Sequence, residues 1–330
     1  MSNVLSVKGL QRRAAGIGLI SAALAPRAAL AQGYPTQTIK LVNPNAPGGV
    51  NDVLARMITT ELQAALGQSS IVEYRPGAGG DIGFEAVSRA EPDGHTLLIG
   101  SISLTLKPAL TANLKLDPRT DLTAIARIAT QPMVIVLRPD FPASSLPEFI
   151  KLAKDNPGKY SFATPGRGTP QHFGAEMLCA EAGIKMNHVP YRGAAPAMTD
   201  IISGQVDLFF GTETSAGPFI KDGKMKAVAG TLSTRLAQFP EVKTLPELGF
   251  KKSEIGIWYG LFGPPKLRAA IVERLTGALE AMTRKDDYKT RMQQLALTSA
   301  LSTPKELSDQ IAVEVDKWRD VAKSAGLKPE

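Results

Sequence analysis

The chain has 330 residues, of which 43% are hydrophobic and 21% are charged. This composition is typical of a globular protein and excludes global disorder, a collagen-like fibre or a bundle of membrane spans. Because single hydrophobic cores stop growing at roughly 250 to 300 residues, the length predicts two domains. The net charge of +7 points toward nucleic acid, but four basic and no acidic residues lie within the first 31 positions. That excess belongs to the N-terminal segment, so we predict no nucleic-acid partner.

The N-terminal segment has the pattern of an export signal. A basic region ends at Arg12-Arg13, an apolar run follows over Ala14–Ala25, and Ala29-Leu30-Ala31 fits an A-x-A cleavage site. The run is too short for a membrane span, which needs about 20 residues. We predict a signal peptide at 1–31, cleaved after Ala31 and exported by the general or the twin-arginine route. A retained membrane anchor is the alternative.

Strand and helix patterns alternate after this segment. Short β-branched runs predict strands, and apolar faces at helical spacing predict helices. The strands are Ile39–Val42, Ile71–Tyr74 and Thr96–Ile99, and the helices between them are Val50–Leu66 and Ile82–Ala90. This βαβαβ order predicts a parallel sheet covered by helices.

A second alternating series follows Pro132, and a third group of elements closes the chain. The predicted strands are Met133–Leu137, Tyr160–Ala163, Val206–Phe210, Lys226–Ala229 and Gly256–Phe262. The predicted helices are 145–156, Pro170–Ala182, Ala194–Ser203, Leu267–Arg284, Asp287–Leu295 and one that begins at Thr303. The helices at 145 and 303 each begin with a capping box, in which Ser or Thr stands three residues before Glu.

We therefore predict an α/β fold with two lobes, each a mainly parallel sheet flanked by helices, and a ligand cleft between them. The first lobe comprises residues 32–133 and 257–330, and the second comprises 134–256. The chain is expected to cross between the lobes near Gln131–Pro139 and again near Ile255–Pro264.

The sequence lacks the known catalytic signatures: it has no G-x-S-x-G elbow, no H-E-x-x-H motif and no phosphate loop. The glycine-rich segment Gly77–Gly83 has Ile82 where a dinucleotide fingerprint requires glycine. His95, His172 and His188 lack the spacing of metal ligands, so we predict no cofactor and no metal site. A nucleophile activated by His172 stays open, since such triads are defined by geometry.

Cys179 is the only cysteine. An intramolecular disulfide and a cysteine-based zinc cluster are therefore impossible. Its position on the apolar face of a predicted helix indicates a small buried hydrophobic residue.

Two loops rich in glycine and proline each follow a strand and open a helix: Asn43–Asp52 and Thr164–His172. Glycine lets backbone amides approach a ligand closely, and amides at a helix N-terminus favour an anion. Both loops, and Arg75–Gly80, lie at the carboxyl ends of strands, where open α/β sheets bind ligands. The loops predict a cleft that closes on a small anion, with ordinary strand-to-helix turns as the alternative.

Charged residues lie in or beside these loops. Arg75, Arg167 and Arg192 are able to offset a carboxylate's charge, although exposed arginines are more often solvated surface residues. Asp207 would repel an anion, and is better suited to capping a loop or orienting its neighbours.

Several motifs, taken together and in order, resemble the substrate-binding proteins of tripartite tricarboxylate transporters, also called the Bug family. The resemblance covers essentially the whole chain after the N-terminal segment. The motifs are Ala46–Asp52, Tyr74–Gly83, Pro92–Leu97, Thr164–His172, Val189–Ala197, Gly204–Asp207 and Thr244–Gly249.

The resemblance implies a two-lobed periplasmic receptor, similar to type II binding proteins, that is not an enzyme. Such a monomer closes around a small mono-, di- or tricarboxylate and delivers it to the large and small subunits of a membrane permease. It also implies the ligand-binding residues, to which Asp207 is added from the Gly204–Asp207 motif. These residues are Ala46, Pro47, Gly48, Gly49, Asp52, Ser101, Ser103, Thr164, Gly168, Thr169, His172, Tyr191, Arg192 and Asp207.

Two other functions stay open at this point. The same closed form could present its ligand to a signalling protein rather than to a permease. A hydrolase or isomerase acting in the cleft is the second alternative. The sequence departs from the family at Asn51, where Thr or Ser is more usual, and at Gly168-Thr169-Pro170, so the resemblance leaves the identity of the carboxylate open.

Overall fold

The computed structural model describes residues 33–112, 114–191 and 193–329. The predicted signal peptide and Arg192 lie outside the described residues. The strands are β1 (Ile39–Asn43), β2 (Ser70–Tyr74), β3 (Thr96–Ser101), β4 (Thr123–Leu137), β5 (Ser161–Thr164), β6 (Asn187–Pro190), β7 (Leu208–Thr212), β8 (Lys226–Gly230), β9 (Gly256–Gly263) and β10 (Thr298–Ser299). The helices are α1 (Val50–Leu66), α2 (Asp81–Ser88), α3 (Ser103–Leu106), α4 (Leu146–Asp155), α5 (Pro170–Ala182), α6 (Ala194–Ile202), α7 (Glu213–Lys221), α8 (Ala269–Arg284), α9 (Asp286–Gln294) and α10 (Pro304–Ser324).

Side-chain caps begin several of these helices where the sequence predicts them. Thr303 accepts from the Glu306 amide while the Glu306 carboxylate accepts from the Thr303 amide, which is a complete capping box. At α4, Ser145 accepts from the Glu148 amide, but the Glu148 carboxylate accepts from Ser144 instead. Both arrangements satisfy amides that have no partner within the helix.

The strands form two sheets that share β4. The first sheet has the order β2-β1-β3-β9-β4, with β10 also on β4, and the second runs β4-β7-β5-β6, with β8 also on β4. Residues of β4 up to Pro132 pair with β9, and residues from Met133 onward pair with β7 and β8. The chain therefore passes from one lobe to the other along a single continuous strand.

The two-lobed α/β fold is confirmed, but the sheets are mixed rather than mainly parallel. Pairing is parallel for β1 with β2 and β3, and for β5 with β6 and β7. It is antiparallel wherever β4 or β9 takes part. These two strands carry the chain between the lobes in opposite directions, so they cannot be parallel to each other.

Helix α10 packs against both lobes. It contacts β4 and α3 on one side and α5 on the other, and Trp318 meets Phe173 of α5 edge-on, with ring centroids 5.7 Å apart. Cys179 of α5 is buried, as predicted, and burial raises the pKa of its thiol to about 12, with a further contribution from Glu176. Among the described residues, no helix combines the length and apolar character that a membrane crossing requires.

Candidate functional site

A pocket of about 370 Å³ lies where the two lobes face each other. One side is formed by α3 and the turn after it, and the other side by the loop that opens α5. The lining residues are Gly79, Ser103, Lys107, Leu110 and Thr111 on one side, Arg167, Gly168, Thr169 and Pro170 on the other, and Lys328 from the C-terminal segment. Three residues predicted from the sequence, Ser103, Gly168 and Thr169, therefore lie together in one pocket.

The second-lobe wall is a tight loop held by its own hydrogen bonds. Thr169 is the N-cap of α5: its hydroxyl accepts from the His172 amide and donates to the Gly166 carbonyl. Gly168 has a φ of 76°, a conformation that other residues rarely adopt. A Cβ atom at Gly168 would also overlap Cδ1 of Leu110, on the opposite wall. Glycine is thus required both for the turn and for the close approach of the two walls.

Both walls of the pocket carry positive charge. Lys107 lies on the first-lobe wall, where its Nζ is 2.6 Å from Asp81 Oδ1. Arg167 lies on the second-lobe wall and donates to the Lys328 carbonyl at 3.3 Å. The N-terminus of the 13-residue α5 adds the positive end of its dipole. The pocket therefore favours an anionic ligand.

The loop Ala46–Gly49 is exposed at the same edge of the first sheet, but it does not line the pocket. Asp52, which follows this loop, is only 6% exposed. Its carboxylate accepts from the Gly48 amide at 2.9 Å, from Arg56 Nε at 3.1 Å and from the Tyr74 hydroxyl at 2.5 Å. The Tyr74 hydrogen bond is the largest cause of the lowered pKa of Asp52. Asp52 thus holds the loop Ala46–Gly49 in place, and its carboxylate accepts hydrogen bonds from protein donors.

Thr164 and His172 are buried behind the second-lobe loop rather than in the pocket wall. His172 Nδ1 accepts from the Gly168 amide at 3.1 Å, and Thr164 Oγ1 is 2.6 Å from His188 Nε2. These hydrogen bonds of the Thr164 and His172 side chains therefore hold the loop in its shape.

Two further predicted residues, Ser101 and Tyr191, are not among the lining residues of the pocket. Ser101 is the last residue of β3 and pairs with Tyr259 of β9. Tyr191 follows β6, and its hydroxyl donates to Asp200 Oδ2 at 2.7 Å. Burial, and then the bond to Asp200, raise the pKa of Tyr191 to about 12. The Tyr191 hydroxyl is thus protonated at neutral pH, and it donates its hydrogen bond to Asp200.

Asp207 lies at the opposite end of the second sheet, and this corrects its assignment as a ligand-binding residue. It precedes β7, whereas the pocket loop follows the carboxyl end of β5. Its carboxylate accepts from Arg138 Nε at 3.1 Å and from the amide and hydroxyl of Ser161, the first residue of β5. A residue at the amino end of parallel strands cannot reach a ligand at their carboxyl ends.

Several lining residues carry too little local signal to be predicted from the sequence. Lys107 and Leu110 lie after α3, and Lys328 lies beyond α10, so none belongs to a loop between a strand and the following helix. Their one sequence signal is weak: Lys107 and Lys328 are basic residues that each precede a proline. Their place in the pocket depends on contacts between distant segments.

A second cavity, of about 230 Å³, lies behind the crossing strands, between β9 and α10. Its polar side chains are bonded to one another: Glu314 accepts from Trp258 Nε1 at 2.9 Å and from Thr105 Oγ1 at 2.7 Å. Gln310 also donates to Glu314. This network joins α3, β9 and α10 to one another. Across the described ranges, no group of three or more His, Cys, Asp or Glu side chains is arranged to hold a metal ion.

Comparisons with known proteins identify the family of the chain. Residues 54–327 match the model of the tripartite tricarboxylate transporter family receptor. The periplasmic binding protein BugD is 33% identical, with a TM-score of 0.75, and the match covers 90% of this chain and 100% of BugD. MatC from Rhodopseudomonas palustris, with bound malate, is 31% identical with a TM-score of 0.73 over 87% of this chain and 99% of MatC. Rpa4515 of R. palustris, with adipate, is 26% identical with a TM-score of 0.78 over 90% of this chain and 100% of Rpa4515.

The matched region includes both lobes, and the similar structures are periplasmic or carry bound dicarboxylates. The family model spans most of the chain, and the similar structures share its fold over nearly their whole length. The chain therefore belongs to the tripartite tricarboxylate transporter receptor family, also called the Bug family.

Proposed function

We propose that this protein is a periplasmic receptor that captures a small carboxylate between its lobes and delivers it to a tripartite-type membrane permease. The observation that carries the proposal is the pocket at the carboxyl ends of the strands, with Lys107 on one wall and Arg167 on the other. A negative charge between two cationic walls stabilises the closed form, because it interacts with both lobes at once.

The size and chemistry of the pocket support a small ligand. A volume of about 370 Å³ is near the lower end of the usual range for ligand pockets, roughly 300 to 1,000 Å³. Leu110 and Pro170 supply apolar surface between the polar groups. A short dicarboxylate has this combination of charged ends and apolar middle, and the similar structures with malate and adipate support that class.

The lobes move as units in this proposal. The first lobe is 32–133 with 257–330 and the second is 134–256, and the change of β4 partners after Pro132 supports the first boundary. Closure then brings the exposed loop Ala46–Gly49, held by Asp52, over the ligand. Arg192 is proposed as a further cation from the second lobe. The predicted signal peptide, cleaved after Ala31, accounts for export of a monomeric receptor.

A thermal-shift series on the protein from Gln32 onward tests the proposal. The panel contains malate, adipate and citrate. Each acid is paired with its amide derivative, in which neutral amide groups replace the carboxylates. A ligand at 100 times its dissociation constant adds about 2.7 kcal/mol to the free energy of unfolding. We expect a rise in melting temperature for an acid and none for its amide. Equal shifts for acids and amides, or conversion of the recovered ligand into a product, would contradict the proposal.

A further inference from the structure

Two histidines from different elements stack face to face behind the second-lobe loop. His172 of α5 and His188 of β6 have ring centroids 3.9 Å apart and an interplanar angle of 18°. The other neighbour of His188 is Phe162 of β5, with centroids 4.9 Å apart at 16°. His172 is 1% exposed. Two of the three histidines of the chain thus form part of one aromatic stack beneath the loop.

Each ring contacts the loop that forms the pocket wall. His172 Nδ1 accepts from the Gly168 amide, so this nitrogen carries no proton. His188 Nε2 is 2.6 Å from Thr164 Oγ1, and the same hydroxyl bonds to the carbonyl and amide of Gly166. The two imidazoles therefore hold both ends of the loop, at Thr164 and at Gly168.

The surroundings of the stack oppose a positive charge on His188. Glu176, on the same helix as His172, has its carboxylate 3.7 Å from His172 Nε2. Arg167 lies on the loop, and β5 contributes Phe162 and Thr164. The pKa of His188 is lowered to about 4, chiefly by burial, with smaller electrostatic contributions from His172 and Arg167 in the same direction. A proton on either ring would place a positive charge against the other ring, because the two ring centroids are 3.9 Å apart.

We propose that His172 and His188 act together as positioning residues, which hold the loop Thr164–Thr169 in its ligand-binding shape only while both rings are neutral. A proton on His172 Nδ1 would place an N–H group against the N–H of Gly168, which breaks that hydrogen bond. The inference rests on the proposed function for its effect on affinity. Its effect on the loop holds whether or not a carboxylate binds.

The consequence is a binding site that weakens on acidification. Loss of one hydrogen bond is expected to open the loop about fivefold more often, and ligand affinity falls by the same factor when only the closed loop binds. A histidine that touched the ligand directly would do the opposite, because its positive charge would attract a carboxylate more strongly at low pH. The sign of the pH dependence therefore separates the two roles.

The test compares three variants with the wild-type protein. His172→Asn retains an oxygen acceptor near the position of Nδ1 but cannot be protonated. His172→Leu removes the acceptor. His95→Gln is the matched control, because His95 is a buried histidine of the first sheet whose Nε2 accepts from the Thr36 amide, far from the loop.

Hydrogen exchange of the ligand-free proteins, followed by mass spectrometry, measures protection of peptides that cover residues 164–172 at pD 5 and 7.5, corrected for intrinsic exchange. We expect wild-type and His95→Gln protection to fall at least fivefold at pD 5. Protection in His172→Asn should be equal at both values, and in His172→Leu it should be low at both. Wild-type protection that does not change, or His172→Asn protection that falls as in wild type, overturns the proposal. His172→Asn alone decides the outcome if His172→Leu does not fold.

Titration calorimetry with malate at pH 5 and 7.5 adds the readout on affinity. Protonation of malate itself is common to all variants and cancels in their comparison. We expect the wild-type affinity to fall at pH 5 by about fivefold more than that of His172→Asn, and the opposite sign overturns the proposal. If malate binds no variant, the proposed ligand class is in question, while the exchange result still decides whether the histidines position the loop.

Discussion

Asp52→Asn tests whether the Asp52 carboxylate holds the loop Ala46–Gly49 in place. The wild-type carboxylate accepts three hydrogen bonds, with the Gly48 amide on Oδ2 and the Arg56 and Tyr74 side chains on Oδ1. Asparagine retains one oxygen, so its NH₂ group faces either the Gly48 amide or the other two donors. At least one hydrogen bond to a charged group is lost, and such bonds contribute about 1.5 to 3 kcal/mol.

We expect the free energy of unfolding of Asp52→Asn to fall by about 2 kcal/mol. Looser packing of the loop should also weaken carboxylate binding, by up to about tenfold if the closed loop is populated tenfold less. Urea unfolding measures the first effect and titration calorimetry the second. Tyr74→Phe should reproduce part of both losses because it removes one donor. Arg56→Ala should change stability by less than about 0.5 kcal/mol, since the Arg56 side chain is 63% exposed.

The effect of Asp52 also has a pH signature. Its pKa in the folded protein is lowered, chiefly by the Tyr74 hydroxyl, so its stabilisation is present above the unfolded value of about 3.9 and is lost as the pH falls through the folded value. The difference between wild type and Asp52→Asn should therefore shrink below pH 4. Equal stability and affinity of the two proteins at pH 7 would refute the assigned role of Asp52.

Substitutions at three other sites test separate features of the pocket loop and the fold. Thr169→Ala should lower the free energy of unfolding by about 1 kcal/mol in urea, and Thr169→Ser should not, because serine retains the cap; equal losses would contradict a capping role of the hydroxyl. Gly168→Ala should weaken binding in calorimetry, because alanine is strained at a φ of 76° and its Cβ overlaps Leu110; unchanged affinity would contradict the close approach of the walls. Glu213→Gln should gain stability relative to wild type from pH 4 to 7, because burial raises the pKa of Glu213 and its ionisation destabilises the fold as the pH rises; a constant difference in urea unfolding would contradict this sign.

The sequence predicted the elements that carry their own signals. The helix Pro170–Ala182 was predicted at its observed bounds, since Thr169 caps it, proline opens it and Gly183 ends it. Strand β4 was predicted only over Met133–Leu137, although it begins at Thr123. The missing part, TAIARIATQP, contains alanines and a proline, which have low strand propensity. It becomes a strand because β9 and β10 pair with it, and such pairing is not visible in a local pattern.

The predicted site residues differ in where the structure places them, for a similar reason. Gly168 and Thr169 line the pocket, and they were predicted because turn and cap chemistry is local. Asp207 was misplaced because its neighbour in space, Ser161, is 46 residues away in sequence. Lys107 was not predicted because it lines the pocket only together with the second-lobe loop on the opposite wall, which is distant in sequence. Hydrogen bonds between distant segments decide which polar residues remain available to a ligand.

The decisive measurement is a crystal structure of the protein with a carboxylate selected by the thermal-shift series. We expect an unmodified ligand between the Ser103–Lys107 wall and the Arg167–Pro170 loop, with its negative charges facing Lys107, Arg167 and the N-terminus of α5. A carboxylate bound only in the cavity between β9 and α10, or a chemically altered product in the pocket, would contradict it.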